Sequence, residues 1–254
     1  MRLTFLGTGT SNGVPVIGCD CEVCRSTDQH DRRRRTAALV ETATTRILID
    51  CGPDIREQLL EVPFRKIDGV LLTHEHYDHA GGLDDLRPYC KFGDIAIYAN
   101  AQTVKAVRHN FSYCFVTHRY PGVPRLTLRA ISKHVPLRIG DIDVMPIEVM
   151  HDQLPILGYR FGRLAYITDM KYIDDAELPY LHGVETLVVN ALRWDKPHHS
   201  HQLVADAVAF ARRIGACHTY LLHLTHEIGH HDVGNARLPE GVSLAYDGLV
   251  VEQP

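Results

Sequence analysis

Short runs of apolar residues recur along the chain at intervals typical of β-strands. Each run is bounded by Gly, Asp, Pro or His, residue types that commonly end a strand. The pattern predicts strands over Leu3–Leu6, Ile47–Ile49, Val70–Leu72, Ile95–Tyr98, Ile142–Val149, Leu164–Ile167, Thr186–Val189, Tyr220–Leu222 and Gly248–Val251.

Helical periodicity is present in two longer segments and one short one. Gln202–Ile214 carries a broad apolar stripe, and Ala101–His109 places Val104 and Val107 on one face. Asp174–Leu181 is the short candidate. The strands come in runs rather than in strict alternation with helices. This order favours an α+β fold in which sheets pack together with helices outside.

The composition is that of an ordinary folded chain. With 45% hydrophobic and 23% charged residues among 254, it excludes disordered and collagen-like classes, and we expect one domain over residues 1–254. A net charge of −4 gives no overall basic field for nucleic acid.

There is no apolar stretch of about 18 residues and no signal-peptide pattern. Three of the seven cysteines are crowded together, a poor disulfide framework. We therefore expect no membrane contact and a cytoplasmic location.

The densest group of possible metal ligands directly follows a predicted strand. Val70–Leu72 runs into His74, His76, Asp78 and His79 in the pattern H-x-H-x-D-H. Imidazoles two positions apart on an extended strand point to opposite faces, so the chain must turn here for them to converge. The glycine pair that follows lets the backbone bend closely past the site. We predict a metal site here rather than a set of solvated polar residues.

Three further candidate ligands, His151, Asp169 and His223, each lie at or just beyond the end of a predicted strand. Sheets of this general kind often place ligand sites at the carboxyl ends of their strands. Taken singly, each histidine would more often be structural. Together with the earlier four residues, the three complete two coordination spheres.

This order of ligands resembles that of the metallo-β-lactamase superfamily, whose fold is a four-layer αββα sandwich. The resemblance covers residues 74–223 and, through the N-terminal strand–turn–strand, most of the chain. True β-lactamases match less well because they lack the full Asp-His pair and the bridging aspartate. The resemblance implies two metals, one held by His74, His76 and His151, the other by Asp78, His79 and His223, with Asp169 bridging them.

Two divalent ions about 3.5–4 Å apart form the clamp used for in-line displacement at phosphorus. Zinc or manganese is expected, although iron would also suit the donor set. Because two ions lower the pKa of a water that bridges them, the predicted reaction is attack of bridging hydroxide on phosphorus. The ions also offset charge on the phosphate oxygens. We count Asp78 among the candidate catalytic residues.

A second metal signal, C-x-C-x-x-C, lies near the N-terminus. Its cysteines are Cys19, Cys21 and Cys24. Three thiolates leave a tetrahedral zinc one ligand short. With the glycine-rich Leu6–Pro15 before it, the motif is similar to the phosphoribosyl 1,2-cyclic phosphate phosphodiesterase branch of the superfamily, found in bacterial phosphonate degradation. That resemblance implies that His226 completes a structural zinc site, which would hold a loop near residues 18–25 beside the active centre.

His201, just before the predicted helix 202–214, is the candidate general acid. The resemblance implies this role, because phosphodiesterases of the superfamily use a histidine before that helix to protonate the leaving oxygen or contact the phosphate. An unperturbed pKa of about 6.5 suits the task. The alternative is an exposed histidine-rich start to the helix, for which Ser200 is the expected N-cap. No role is assigned to His198 or His199.

Other polar segments receive weaker interpretations. Arg32–Arg35 precedes another likely strand, and a solvated or salt-bridged face is favoured over phosphate steering. Residues 230–232, His-His-Asp, are interpreted as a surface loop rather than a metal or substrate contact. Residues 108–125 could cover a substrate, but no chemistry is assigned to them.

These features predict a dinuclear metal-dependent phosphodiesterase acting on a small cyclic or diester phosphate, with one additional structural zinc. The resemblance suggests a homodimer. A tRNA 3′-processing endonuclease of the RNase Z type shares the ligand order. However, no insertion is long enough for its tRNA-holding arm, and the net charge of −4 disfavours a nucleic-acid partner. A non-catalytic zinc-binding member is the remaining alternative. The sequence does not identify the physiological substrate.

Overall fold

Two seven-stranded sheets lie face to face in the computed structural model, with helices on both outer faces. The structure describes residues 1–117 and 122–253. The predicted four-layer αββα sandwich is confirmed. The first sheet contains β1 (Arg2–Gly7), β2 (Ala37–Glu41), β3 (Arg46–Ile49), β4 (Gly69–Leu71), β5 (Ile95–Ala99), β6 (Leu126–Ala130) and β14 (Val250–Glu252), in the order β14-β1-β2-β3-β4-β5-β6.

The second sheet is built from the remaining strands. It contains β7 (Leu137–Ile139), β8 (Ile142–His151), β9 (Leu154–Phe161), β10 (Leu164–Ile167), β11 (Thr186–Asn190), β12 (His218–Leu222) and β13 (Val242–Leu244). Its order is β13-β12-β11-β10-β9-β8-β7. The two sheets therefore come from successive halves of the chain, except that β14 returns to pair with β1.

Helices cover the outer faces of both sheets. They are α1 (Ile55–Leu60), α2 (Tyr77–Ala80), α3 (Ala101–Asn110), α4 (Val204–Ile214) and α5 (His231–Asn235), with 3₁₀ segments including Leu83–Phe92 and Asp175–Leu181. Side chains of α1, α3 and Leu83–Phe92 pack on the first sheet, and those of α4 pack on the second. Within the described residues, no helix is both long enough and apolar enough to cross a membrane.

A central hydrophobic layer fills the space between the sheets, with Phe5, Tyr159 and Tyr166 among its largest members. Because helices also cover the outer faces, central strands are buried on both sides. Every residue of β2 and β3 is buried. This explains why such strands appear in the sequence as continuous apolar runs rather than alternating ones.

Strands with less regular sequences were missing from the prediction. β6, β7, β9 and β13 were not predicted, although β9 is eight residues long. It contains Pro155 and Gly158, which weaken a strand pattern, yet its continuous hairpin pairing with β8 holds it in the sheet. β7 and β13 are three residues each, too short to establish a period.

The carboxyl ends of several strands meet at a shared edge. β3, β4 and β5 run parallel to one another, as do β10, β11 and β12. β8 runs the same way as β10 because both pair antiparallel with β9. The residues that leave this edge include Asp50, Asp169 and His223, whose φ angles of 59°, 56° and 57° turn the chain sharply away from the sheet. Such left-handed conformations in non-glycine residues cost about 1–3 kcal/mol and occur mainly at functional sites.

A buried ion pair fixes the opposite end of the first sheet. Arg46 in β3 is 1% exposed, and its Nε donates to Glu41 Oε1 of β2 at 2.7 Å. One of its terminal nitrogens donates to the carbonyl of Pro63 at 2.7 Å. The pair therefore ties β2, β3 and the segment after α1 together away from solvent.

We expect Arg46→Met to lower the free energy of unfolding by about 3 kcal/mol, because it leaves the Glu41 carboxylate buried with weaker compensation. Urea unfolding monitored by circular dichroism measures the change. Arg56→Met is the matched control, since Arg56 pairs with Glu57 in solvent, and it should change stability by less than about 0.5 kcal/mol. Equal losses in the two variants would contradict the assigned role of the buried pair.

Candidate metal centre

The H-x-H-x-D-H segment turns immediately after β4, as the sequence predicted. His76 is the N-cap of α2, and this four-residue helix carries Asp78 and His79 inward. Two glycines allow the close approach. A Cβ at Gly52 would lie 2.0 Å from the carbonyl oxygen of Asp78, and one at Gly82 would lie 2.0 Å from that of Gly52. The backbone path that places these donors therefore leaves no room for a side chain at either position.

His74, His76 and His151 form the first donor cluster. One nitrogen from each ring lies within 4.8 Å of the others. The ring centroids of His74 and His76 are 4.5 Å apart, and that of His151 is 5.5 Å from the first and 5.2 Å from the second. His74 and His151 are buried whereas His76 is exposed, so this cluster opens to solvent at His76.

Asp78, His79, Asp169 and His223 form the second donor cluster, and all four are buried. Asp169 Oδ2 lies 3.4 Å from His79 Nε2 and 3.8 Å from His74 Nε2. Its other oxygen, Oδ1, lies 3.1 Å from His223 Nδ1. The Asp169 carboxylate therefore lies between the two clusters, in the position expected of a bridging residue.

Asp50, which sequence analysis missed, orients two of the imidazoles. The Nδ1–H of His79 donates to Asp50 Oδ2 at 2.7 Å. The hydroxyl of Thr73 donates to the same carboxylate, so its oxygen is left to accept from His74 Nδ1 at 3.0 Å. With both Nδ1 atoms used as donors, the Nε2 lone pairs of His74 and His79 face the donor clusters. The signal was present, because Asp50 directly follows a predicted strand.

His151 is oriented by backbone rather than by a carboxylate. Its Nδ1 lies 2.9 Å from the carbonyl oxygen of Asp169 and 3.0 Å from that of Ser200. Both contacts require Nδ1 to be the protonated nitrogen, which leaves Nε2 as the electron-pair donor. Outer contacts of this kind fix the tautomer of histidines that bind metals.

The electrostatics of the second cluster favour a positive charge. Burial opposes a charged imidazole, yet Asp169, Asp78 and Asp50 hold the pKa of His79 well above its usual range. Burial lowers the pKa of His74 well below its usual range. The buried Nε2 of His74 has no hydrogen-bond partner in the described part of the chain. The buried Nε2 of His79 faces only carboxylate oxygens, at 3.2 Å from Asp78 and 3.4 Å from Asp169. An unpaired buried nitrogen beside clustered carboxylates fits a bound cation.

The cysteine motif converges on His226 as predicted. His226 Nδ1 lies 3.4 Å from Cys19 Sγ, 3.1 Å from Cys21 Sγ and 3.5 Å from Cys24 Sγ. Tetrahedral zinc, with bonds of about 2.3 Å to sulfur and 2.0 Å to nitrogen, would place these atoms about 3.5 Å apart. The amide of Cys24, followed by His226, lowers the pKa of Cys21 to about 6, whereas burial raises that of Cys24 to about 11.

His201 lies beside both clusters. Its ring centroid is 4.7 Å from that of His151 and 4.9 Å from that of His223. Its Nδ1 is buried and, among described residues, has no hydrogen-bond partner. Burial, followed by neighbouring histidines and opposed by Asp169, lowers the pKa of His201 to about 3.

The expected role of Ser200 as a helix N-cap is wrong. α4 begins at Val204, and its N-cap is Leu203, whose backbone N–H donates to the Asp206 side chain at 3.0 Å. Ser200 lies too far ahead of the helix to bond to its first amides. Its carbonyl group instead contacts His151, so the residue acts through its backbone.

Two of the four arginines in the run form salt bridges, as favoured from the sequence, whereas a third is buried. Arg34 pairs with Glu61, and Arg35 with Asp54. Arg33 is buried and donates to Thr8 and to the carbonyl of Ala245. All four arginines line a cavity of about 460 Å³, but four acidic residues line it too. The cavity therefore has no excess of positive charge for a phosphate.

A third group, His30, His231 and Asp232, also brings donor atoms together. However, Arg33 lies 3.2 Å from His231 Nδ1 and can only donate. The neutral ring must then carry its proton on Nε2, which leaves neither nitrogen free for a metal. The remaining segment of interest, residues 108–125, includes His118, Arg119 and Tyr120, which lie outside the described residues.

Comparison with known proteins agrees with this geometry. Residues 45–224 match the family model described as a beta-lactamase superfamily domain. The chain belongs to the metallo-β-lactamase superfamily. The predicted membership is confirmed, and divalent metal ions, commonly zinc, are expected of a superfamily member that carries these donor clusters.

Two solved structures resemble this superfamily member along its whole length. One is a new diphosphatase from the PhnP family, 39% identical, with a TM-score of 0.91, covering 100% of this chain and 98% of its own. This likeness places the chain in the PhnP family. The other is the short form of human tRNase Z, 20% identical, with a TM-score of 0.72 and full coverage of both chains. At that identity, the likeness shows the fold alone.

A curated relative is similar over nearly all of this chain. An octanoyltransferase from Porphyromonas gingivalis is 44% identical over 250 residues, which cover 98% of this chain and 51% of that protein. The chain therefore spans about half the length of this relative.

Proposed function

We propose that the protein is a dinuclear metal-dependent phosphodiesterase that hydrolyses a small cyclic or diester phosphate. The observation that carries the proposal is the Asp169 carboxylate, which lies between a three-histidine cluster and an Asp-His-His cluster. A carboxylate shared by two sets of donors suits a pair of divalent ions, the arrangement that proteins use for displacement at phosphorus. Similarity to a PhnP-family diphosphatase supports hydrolysis at phosphorus.

In this proposal each cluster would hold one divalent ion, zinc or manganese, and the Asp169 carboxylate would be available to both. The proposed ligands are His74, His76 and His151 for the first ion, and Asp78, His79 and His223 for the second. Bound there, the ions would supply positive charge for the phosphate oxygens and a water-derived nucleophile at neutral pH. Asp50 and Thr73 hold the donor nitrogens of His79 and His74 towards them.

His201 is the proposed general acid for the leaving oxygen. Its position next to both clusters places an imidazole beside any phosphate bound there. Burial lowers the pKa of His201 to about 3, so the ring is neutral before substrate arrives. An anionic phosphate within about 4–6 Å would favour the protonated ring, against the effects of burial and of the two nearby cations.

His201 also has a competing role as a ligand. A ring nitrogen of His201 lies within 4.8 Å of donor atoms from His151 and Asp169. Metal content separates the two roles, because loss of the acid leaves the ions in place whereas loss of a ligand does not.

The cysteine cluster is proposed to hold a structural zinc. Three sulfur atoms and one imidazole nitrogen form a closed set of four donors, with no position left for substrate. His226 follows Leu224, whose N–H donates to the carbonyl of Thr8 at 2.9 Å. The zinc would therefore anchor the N-terminal loop against the segment that carries His223.

The proposed function predicts metal-dependent turnover of a simple diester. The protein, loaded with zinc or manganese, should hydrolyse bis(p-nitrophenyl) phosphate and a ribose 1,2-cyclic phosphate. Nitrophenolate absorbance measures the first reaction and ³¹P NMR the second. A nucleoside diphosphate and a precursor tRNA complete the panel. Cleavage of the precursor tRNA alone would favour a tRNA-processing enzyme. Metal binding without turnover of any phosphate compound would favour a non-catalytic member.

We expect His74→Ala to lower kcat by at least about 100-fold, because it removes a proposed ligand whose buried nitrogen has no other partner. Bound metal per chain, measured by plasma mass spectrometry, should fall in parallel. His182→Ala is the control and should keep both activity and metal content, because His182 is exposed and lies before the amino end of β11, away from the carboxyl edge that carries the clusters. Full activity in His74→Ala would remove the residue from the ligand set.

We expect Cys21→Ser to lose one zinc per chain and to lower Tm, since a structural zinc contributes folding free energy directly. The activity of the remaining folded protein should fall less than it does in His74→Ala. Cys217→Ser changes an exposed cysteine and should leave zinc content and Tm unaltered. If Cys21→Ser kept its full zinc content, the proposed site would be wrong.

A further inference from the structure

The segment that carries His201 is held by a lysine from another part of the fold. Residues 197–201, here termed the His201 segment, lie between β11 and α4. Lys171 Nζ donates to the carbonyl of His198 at 2.7 Å and to that of His201 at 3.2 Å. One ammonium group therefore binds the segment at two points three residues apart.

Lys171 is itself fixed relative to the donor clusters. It lies two residues after Asp169, and its backbone N–H donates to the carbonyl of Met150 at 2.7 Å. Met150 immediately precedes His151. The base of the lysine side chain is thus attached to the backbone that carries two of the proposed ligands.

A second contact closes the arrangement. The carbonyl of Ser200, which lies between the two residues whose carbonyls Lys171 binds, accepts from His151 Nδ1 at 3.0 Å. The segment therefore contacts both the first donor cluster, through His151, and the Lys171 ammonium. Without Lys171, its backbone would keep the contact with His151 but lose the two bonds that fix the carbonyls on either side.

We propose that Lys171 is a positioning residue for His201: it holds the backbone of the His201 segment so that the imidazole points at the leaving oxygen. This inference rests on the proposed role of His201 as general acid. Three donors on a flexible stem suit two carbonyl acceptors that lie in different directions. Charged donors also make stronger hydrogen bonds to carbonyl groups than neutral ones do. Lys171 contacts no reacting atom in this proposal, so its effect must pass through His201.

The test compares two leaving groups. Nitrophenolate is a stable anion and leaves bis(p-nitrophenyl) phosphate without protonation. The sugar oxygen of a ribose 1,2-cyclic phosphate is a poor leaving group unless a general acid protonates it. His201→Ala should therefore lower kcat by about 100-fold on the cyclic phosphate and by less than about fivefold on the nitrophenyl ester. Lys171→Met should show the same selectivity, with about a tenfold loss on the cyclic phosphate.

Three controls separate positioning from a general structural role. Lys171→Arg keeps the charge and the donors and should recover most of the lost rate. Lys105→Met changes an exposed lysine on α3 and should alter neither substrate. Metal content should stay constant in Lys171→Met, because His151 keeps the carbonyl of Asp169 as a partner.

The double variant decides whether Lys171 acts through His201. If it does, Lys171→Met combined with His201→Ala should be no slower on the cyclic phosphate than His201→Ala alone. The inference would be overturned if the rate losses of the two single variants multiplied in the double variant, or if Lys171→Met slowed both substrates equally. Either result would leave the general-acid role of His201 intact. If His201→Ala itself lacked leaving-group selectivity, the acid assignment would fall, and the role of Lys171 with it.

Discussion

The buried carboxylate of Asp50 is the constraint on which the candidate centre depends. It accepts from His79 directly and from Thr73, whose oxygen then accepts from His74. One group thus sets the tautomer and orientation of two imidazoles that belong to different donor clusters. Burial raises its pKa, although His79 and Thr73 lower it in return. These partners offset the cost of burying the carboxylate.

The fold provides this constraint through strand direction. Asp50 follows β3, His151 ends β8, and Asp169 and His223 follow β10 and β12, all at the same edge. At that edge the sheets are also joined: the N–H of Leu157 donates to the carbonyl of Thr73 at 3.0 Å. Short side chains on rigid strand ends have few rotamers, so the donor positions are set by the backbone. The His201 segment is different, since it is a loop and needs Lys171 to fix it.

The sequence predicted those parts of the site where donors are dense or follow a long apolar run. His74, His76, Asp78 and His79 lie within six residues, and all of them meet in space with His151, Asp169 and His223. Asp50 was missed because aspartate commonly follows a strand for local backbone reasons, so a single aspartate in that position does not indicate a site. Lys171 could not be found, since its acceptors are backbone carbonyls about 30 residues away, and carbonyls carry no sequence signal. The prediction for Ser200 was wrong for the opposite reason. A serine side chain is a good helix N-cap, but here the backbone carbonyl of Ser200 makes the functional contact, with His151.

Each donor cluster draws on both sheets. The first takes His74 and His76 from the half of the chain that forms the first sheet, and His151 from the other half; the second is divided in the same way. Neither half alone presents more than part of either cluster. A cation that occupied them would therefore act as a non-covalent cross-link between the halves of the polypeptide. It would favour the docked arrangement of the two sheets over any arrangement in which they separate, so metal binding would add to the free energy of unfolding.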